Sequence, residues 1–120
     1  CLLAKSLEGR GLLFDPRELV ENCGNKRELA EKVLRAYLRV SPDLIAKVKS
    51  GLDSGNADDI RLGSHPLRGS SATIGARPLA EVCRRIEASP PDEARDFLHE
   101  LLAKFDQTVR EVRAFLGEAA

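Results

Sequence analysis

The feature that most constrains the fold is a run of apolar residues near the C-terminus with helical spacing. After Ser89-Pro90-Pro91, apolar side chains recur every three or four residues, so they lie on one face of an α-helix. A helix of about 25 residues would be roughly 37 Å long. That is the length of one element of a helical bundle, whose other helices cover the apolar face. The stripe consists of Ala94, Phe97, Leu98, Leu101, Leu102, Phe105, Val109, Val112, Phe115 and Leu116.

Helix start and stop signals divide the first half of the chain into two further segments. Asp15-Pro16-Arg17-Glu18 combines an N-cap, a proline at the first helical position and a nearby carboxylate. This short helix is predicted to end at Gly24. Asn25-Lys26-Arg27-Glu28 has the spacing of a capping box and opens a longer helix, which is predicted to end at Gly55-Asn56. Ser41-Pro42 is expected to act within it as a kink or as a new cap.

Two more helices precede the C-terminal one and complete the predicted architecture. They are expected to start near Ala57 and at Arg77-Pro78. No segment shows the alternation typical of a β-strand. The sequence therefore predicts an all-α fold, an antiparallel four-helix bundle with a short extra N-terminal helix. Residues 1–14 are predicted to be an N-terminal segment or linker, and residues 15–120 the bundle.

Composition excludes several classes of protein. The 120 residues hold 19 basic and 19 acidic side chains, whereas a dedicated nucleic-acid-binding protein normally has a basic surface. No run of apolar residues is long enough to span a membrane. Cys1, Cys23 and Cys83 are odd in number and widely spaced, so we predict no disulfide framework, no metal site and a cytoplasmic location. Because the chain lacks methionine even at position 1, we expect it to be a piece of a longer protein.

The charges are unevenly distributed along the chain. Residues 1–59 have no net charge, and residues 86–120 have four basic and eight acidic side chains. Residues 60–85 carry five arginines against one glutamate, a net charge of +4, and contain one of the two histidines. Chance alone could produce this pattern, so it only directs attention to the segment. Its charged residues are Arg61, Arg68, Arg77, Glu81, Arg84 and Arg85.

The histidine of this basic segment is predicted to face solvent. The core-facing positions of the third main helix follow alternating steps of four and three residues from Ile60 to Ile74. At about 100° per residue, His65 lies roughly 200° from Leu67 and about 180° from Ile74. Its own face therefore points away from the bundle and is shared by Arg61, Leu62, Arg68, Gly69 and Ala72.

The surroundings of His65 suit a phosphoryl acceptor. A glycine at position 69 costs about 1 kcal/mol relative to alanine in a helix, but it lowers the surface beside the ring and allows another backbone to approach. Arg68 can place its guanidinium beside an anion on the imidazole. An accessible neutral imidazole carries a nucleophilic nitrogen. The alternative is a surface histidine with incidental neighbours, and spacing alone leaves both interpretations open.

The residues around His65 resemble those of a known family. The segment His65-Pro66-Leu67-Arg68-Gly69-Ser70-Ser71-Ala72 is followed by Gly75-Ala76 and then by Leu79, Cys83 and Glu87. It resembles the histidine phosphotransfer (HPt) domain family, whose members show H-x-L-[KR]-G-S-[SA]-x-x-x-G and an L-x-x-x-C/A-x-x-[LI]-E stretch on the next helix. The resemblance covers most of the chain, because the family is a four-helix bundle of similar length.

The resemblance implies a role in a two-component phosphorelay. His65 would accept the phosphoryl group on Nε2, Arg68 would stabilise it, and Gly69 would give clearance for a docking receiver domain. The partners would be the aspartate-bearing receiver domain of a response regulator, a hybrid sensor histidine kinase, or both. Contacts to the partner are expected from the rest of the exposed face, namely Arg61, Leu62 and Ala72.

The same resemblance implies which cofactors and partners the domain does not need. It needs no cofactor of its own, since Mg²⁺ would belong to the receiver, and we expect a monomer that binds neither nucleic acid nor membrane. The chain has no phosphate-binding ATP loop and no glycine-rich kinase motif, so it is predicted to be a phosphocarrier and not an enzyme. It would act in the cytoplasm, alone or as the cytoplasmic part of a larger membrane-anchored sensor kinase.

Pro66 departs from the family pattern, which usually has Thr or Ser after the histidine. A proline in a helix interior costs about 3 kcal/mol, because it lacks the N–H group and clashes with the carbonyl four residues earlier. We therefore expect a kink or a restart of the helix between Leu62 and Leu67, with Leu67 and Ile74 still facing the core.

Two alternatives compete with the phosphocarrier. A helical adaptor would keep the bundle only to bind a receiver or kinase partner, and Pro66 favours this one. The dimerisation and phosphoacceptor domain of a histidine kinase typically has Glu after its histidine and Pro five residues beyond it. In this chain, Pro66 and Ser70 occupy those places.

The remaining polar residues have simpler interpretations. Ser70 and Ser71 are expected to be helix-packing residues, because no base in the sequence would activate them. Cys83 lies on the apolar stripe of its helix and should be buried. His99 is expected to be a surface residue. Arg84-Arg85 could extend the docking surface or simply face water.

Overall fold

A computed structural model describes residues 12–118, and this part of the chain is entirely helical apart from its connections. Four long helices alternate in direction, preceded by a short helix at the N-terminal side and interrupted by a short helical turn before the last. The α-helices are α1 (Pro16–Asn22), α2 (Arg27–Ser54), α3 (Ala57–Thr73), α4 (Arg77–Glu87), α5 (Pro91–Ala94) and α6 (Leu98–Phe115).

Helices α2, α3, α4 and α6 form an antiparallel bundle, which confirms the predicted fold class. The direction of α3 against α2 follows from two contacts at opposite ends. The Tyr37 hydroxyl lies 2.9 Å from the Ser71 hydroxyl, and Gly51 lies against Ile60. The core between the helices consists of aliphatic side chains with little or no exposed surface, including Leu34, Leu52, Leu67, Leu79, Ile86 and Leu101.

Most of the predicted helix ends are confirmed. The Asp15 carboxylate accepts a hydrogen bond from the Arg17 amide at the start of α1, and the Asn56 side chain accepts one from the Asp59 amide at the start of α3. Gly55 ends α2 in the left-handed conformation, with φ of 70°, which glycine adopts without steric cost. The capping box at Asn25 was wrong, because Asn25 is itself left-handed and α2 starts without a side-chain cap.

Neither internal proline interrupts its helix, so the predicted restart at Pro66 and the new cap at Ser41-Pro42 were wrong. Helix α2 is continuous through Pro42 and α3 through Pro66, and both rings are exposed. Buried side chains on both sides of Pro66 explain the continuity. Each fully buried aliphatic side chain contributes about 1.5–3 kcal/mol, and several of them together exceed the roughly 3 kcal/mol cost of the proline.

The C-terminal stripe is not one helix, as the apolar spacing predicted, but is broken near its start. A 3₁₀ turn at Arg95–Phe97 separates α5 from α6. A 3₁₀ turn has about three residues per turn, so it preserves the three-residue step from Ala94 to Phe97. The periodicity therefore continues through the turn and cannot reveal it.

The chain just before α1 lies against the end of the bundle. The Glu111 carboxylate accepts hydrogen bonds from the Leu13 and Phe14 amides at 2.9 and 2.8 Å. The Phe14 ring is buried and packs edge-on against Phe115. The predicted N-terminal segment or linker lies mostly outside the described residues, so the boundary drawn at residue 15 stays a prediction. Within residues 12–118, no helix combines the length and apolarity needed to cross a membrane.

Candidate functional site

His65 lies in the middle of α3 and points away from the core, as predicted. Its side chain is 61% exposed, whereas Leu67 and Ile74 on the opposite face are 0% and 1% exposed. The angular argument from the sequence is therefore confirmed, even though Pro66 directly follows the histidine. The buried face anchors α3 in the bundle, and the imidazole is accessible to another protein.

Glu87, the last residue of α4, is hydrogen-bonded to the imidazole. Its Oε1 lies 2.9 Å from Nδ1 of His65. A carboxylate only accepts hydrogen bonds, so Nδ1 must carry the proton and donate it. In the neutral ring, the lone pair then remains on Nε2, which is the nucleophilic nitrogen.

Arg68 completes a group of three side chains that joins α3 to α4. Its Nη1 lies 3.1 Å from Oε2 of Glu87, and its Nη2 lies 3.4 Å from Nδ1 of His65. Both groups carry protons, so the Arg68–His65 contact is not a hydrogen bond, and the guanidinium is held by Glu87. The arrangement orients the imidazole and places a cation beside it.

Glu87 was quoted in the family motif, but it was not assigned a role. It is 22 residues from His65 in the chain, so no local spacing connects the two. The only signal in the sequence is that Glu87 follows Leu79 and Cys83 at helical spacing on the helix after His65. Its carboxylate reaches His65 only because α3 and α4 pack side by side in opposite directions.

Gly69 is not required by the packing of the domain itself. A Cβ atom built on Gly69 would meet nothing within 4 Å, whereas one on Gly63 would lie 2.6 Å from the Leu44 carbonyl oxygen. Gly63 therefore serves close packing of α3 against α2. Gly69 faces open space one turn after His65.

The other residues predicted for this face differ in their exposure. Arg61 and His65 line the same cavity of about 440 Å³, together with Arg68 and Glu87. Leu62 is 60% exposed, which is unusual for a large apolar side chain, and Ala72 is half-buried. Exposure makes Arg61 and Leu62 available to a partner, and no contact within the chain tests their binding role.

The simpler interpretations of the serines agree with the structure. The Ser70 hydroxyl donates to the Pro66 carbonyl at 3.0 Å, and the Ser71 hydroxyl is buried against Tyr37. Ser70 thus makes a local hydrogen bond and Ser71 one to a neighbouring helix, and neither hydroxyl is paired with a base.

Cys83 and His99 also lie where they were expected. Cys83 is fully buried, and burial, together with the nearby Glu87 charge, raises the pKa of its thiol to about 12. His99 is exposed.

Arg84 and Arg85 on α4 are held by carboxylates. Arg84 pairs with Glu81, and Arg85 pairs with Glu100 at 2.8 Å. Among residues 12–118, no three His, Cys, Asp or Glu side chains are grouped so that they could hold a metal ion.

Comparison with known proteins gives a consistent result. The model of the Hpt domain family matches residues 32–115. The chain also superposes on the solved HPT domain of the Hpt sensor hybrid histidine kinase from Shewanella. That match has a TM-score of 0.81 and 19% identity, over 90% of this chain and 97% of that one.

A second solved structure is the histidine-containing phosphotransfer protein B from Pseudomonas aeruginosa PAO1. Its TM-score is 0.75 at 20% identity, over 85% of this chain and 92% of that one. None of the curated proteins compared with the chain matches it significantly. At these identities, the structural matches establish the fold.

Proposed function

The chain belongs to the Hpt domain family, the histidine phosphotransfer modules of phosphorelays, and from this premise we propose that Nε2 of His65 is the atom that carries the phosphoryl group. The observation that carries the proposal is the 2.9 Å hydrogen bond between Nδ1 of His65 and Glu87. It leaves Nε2 unprotonated on an exposed ring, which is the state that a nucleophile requires.

The proposed reaction is reversible transfer from the phosphoaspartate of a receiver domain. The Nε2 lone pair attacks phosphorus, the P–O bond to the aspartate breaks, and the aspartate leaves as a carboxylate. No proton has to leave Nε2. The phosphorylated ring becomes an imidazolium, whose Nδ1–H keeps donating to the Glu87 carboxylate, so Glu87 stabilises the product charge as well as the reactive tautomer.

The surroundings assign roles to the neighbouring residues in this proposal. Arg68 lies beside the imidazole and would stabilise the phosphoryl group, and Gly69 would let the receiver backbone approach. Leu62 would supply an apolar contact at the edge of the docking surface, with Ala72 further along. Mg²⁺ would come with the receiver, and the domain would act in the cytoplasm, by itself or as part of a hybrid sensor kinase.

The first experiment tests His65 as the acceptor. The domain is incubated with radiolabelled, phosphorylated receiver domains encoded by the same genome, and the wild type is compared with His65→Gln and His99→Gln. We expect label on the wild type and on His99→Gln, and none on His65→Gln. Label that survives in His65→Gln would refute the assignment. A wild type that binds a receiver without becoming labelled would be an adaptor.

The second experiment tests Glu87 as a positioning residue. Nitrogen-15 NMR of the imidazole should show the proton on Nδ1 in the wild type and a shift toward Nε2–H in Glu87→Ala. Phosphoryl transfer should slow by about tenfold, the value of a hydrogen bond to a charged group. Glu87→Gln should recover part of the rate, because its amide oxygen can still accept from Nδ1–H. An unchanged tautomer in Glu87→Ala would contradict this role.

A further inference from the structure

The charges around His65 are already balanced before any phosphoryl group arrives. Arg68 is bound to Glu87 at 3.1 Å, so one cation faces one anion. A phosphoryl group adds between one and two negative charges, roughly as in other phosphorylated side chains. In the phosphorylated state the imidazolium would add one positive charge to the balanced Arg68–Glu87 pair, which is fewer charges than a dianionic phosphoryl group carries.

Arg61 is the nearest uncompensated cation on the same face. It lies four residues before His65 on α3, and residues at this spacing have Cβ atoms about 5–6 Å apart. Its side chain is exposed and makes no hydrogen bond or ion pair within residues 12–118. Of the two acidic residues shortly before it, Asp59 is paired with Lys47, and Asp58 forms no ion pair with Arg61 within residues 12–118.

The position of Glu87 determines which nitrogen of the imidazole is free. Glu87 and Arg68 both lie at the Nδ1 edge of the ring. A phosphoryl group on Nε2 must therefore lie at the opposite edge, away from the Glu87 carboxylate. Side chains of an α-helix lean toward its N-terminus, so the His65 ring is displaced toward the turn that carries Arg61.

The cavity beside His65 connects these observations. It has a volume of about 440 Å³, and its wall includes Arg61, His65, Arg68 and Glu87. A guanidinium can bind two oxygens of one phosphoryl group at once. We infer that Arg61 binds the phosphoryl group on Nε2 of His65, as a second cation in addition to Arg68. This inference rests on the proposed function.

The phosphoryl group itself supplies the readout. The domain is phosphorylated with potassium phosphoramidate, in which the P–N bond breaks, ammonia leaves and phosphorus bonds to Nε2. Phosphorus-31 NMR then follows the second ionisation of the phosphoryl group against pH. A bound cation favours the dianion, so Arg61→Gln should raise the midpoint by about half a pH unit, the effect of one partly exposed ion pair.

Two further variants separate a specific contact from general charge. Arg39→Gln removes the same charge from an exposed position on α2 that does not line the cavity, and it should leave the midpoint unchanged. Arg61→Lys keeps the charge but cannot bind two phosphoryl oxygens at once as a guanidinium does. Its midpoint should therefore lie between those of the wild type and Arg61→Gln. Circular dichroism should show wild-type helix content for all three.

The outcomes are distinguishable from failure of the proposed function. An Arg61→Gln domain that is phosphorylated with the wild-type midpoint would overturn the inference and leave His65 as the acceptor. An equal shift in Arg39→Gln would also overturn it, because the effect would then come from net charge. A wild-type domain that neither phosphoramidate nor a phosphorylated receiver labels would refute both proposals.

Discussion

Two glycines on α3 should respond in opposite directions to the same substitution. An alanine Cβ at Gly63 would lie 2.6 Å from both the Leu44 carbonyl oxygen and Cγ2 of Val48, and 2.8 Å from the Val48 amide nitrogen. Two of these atoms belong to the backbone of α2 and cannot rotate away. The helices must separate instead, so Gly63→Ala is expected to destabilise the domain.

The magnitudes follow from the two local environments. Overpacking costs about 1–3 kcal/mol, and alanine regains about 1 kcal/mol of helix propensity, so Gly63→Ala should lower the free energy of unfolding by about 1 kcal/mol, and by up to about 2 kcal/mol. At Gly69 the added Cβ meets no atom within 4 Å. Only the change in helix propensity applies at this position, so Gly69→Ala should raise the free energy of unfolding by about 1 kcal/mol.

Urea unfolding measures both variants on one scale. With a slope of about 1–3 kcal/mol per molar urea, the two midpoints should differ by roughly 1–2 M, with the wild type between them. A stabilised Gly63→Ala variant would refute the close approach of α3 to α2. A destabilised Gly69→Ala variant would show that this glycine serves the fold.

The rate of phosphoryl transfer tests whether Gly69 serves docking of a partner, independently of its effect on stability. Gly69→Gln should keep the fold but slow phosphoryl transfer from a receiver, because a long side chain would fill the space beside His65. Ser50→Gln, at an exposed position of α2, adds the same group elsewhere and should transfer at the wild-type rate. Equal rates for the two variants would mean that Gly69 does not provide clearance.

Three further predictions concern stability and reactivity. Pro66→Thr should raise the free energy of unfolding by up to the roughly 3 kcal/mol that a helix-interior proline costs. The melting temperature followed by circular dichroism should therefore rise, and an unchanged temperature would show that α3 bears no such cost. Tyr37→Phe should lower the free energy of unfolding in urea by about 1–2 kcal/mol, because the buried Ser71 hydroxyl loses its 2.9 Å partner. Cys83 should resist iodoacetamide at pH 8 in the folded domain, since burial raises its pKa to about 12 and only thiolates react; mass spectrometry should find it alkylated in urea.

The sequence predicts well whatever depends on helical periodicity. The spacing of Leu67 and Ile74 was enough to place them in the core and His65 on the outside, because a fixed angle per residue relates the three positions. Features that depend on competition between energies were predicted less well. Proline propensity alone suggested an interruption at Pro66, but the outcome depends on buried side chains on both sides, whose burial is a property of the whole bundle.

The chemistry of His65 depends on such a tertiary contact. A peptide containing α3 alone would keep His65, Arg68 and Gly69 at their spacing, but it would lack Glu87. Without that carboxylate, nothing would hold the proton on Nδ1, and Arg68 would lose the partner that fixes its guanidinium at 3.1 Å. In the proposed function, the motif on α3 therefore specifies where a phosphoryl group would be received, and the packing of α4 against α3 specifies which nitrogen would receive it.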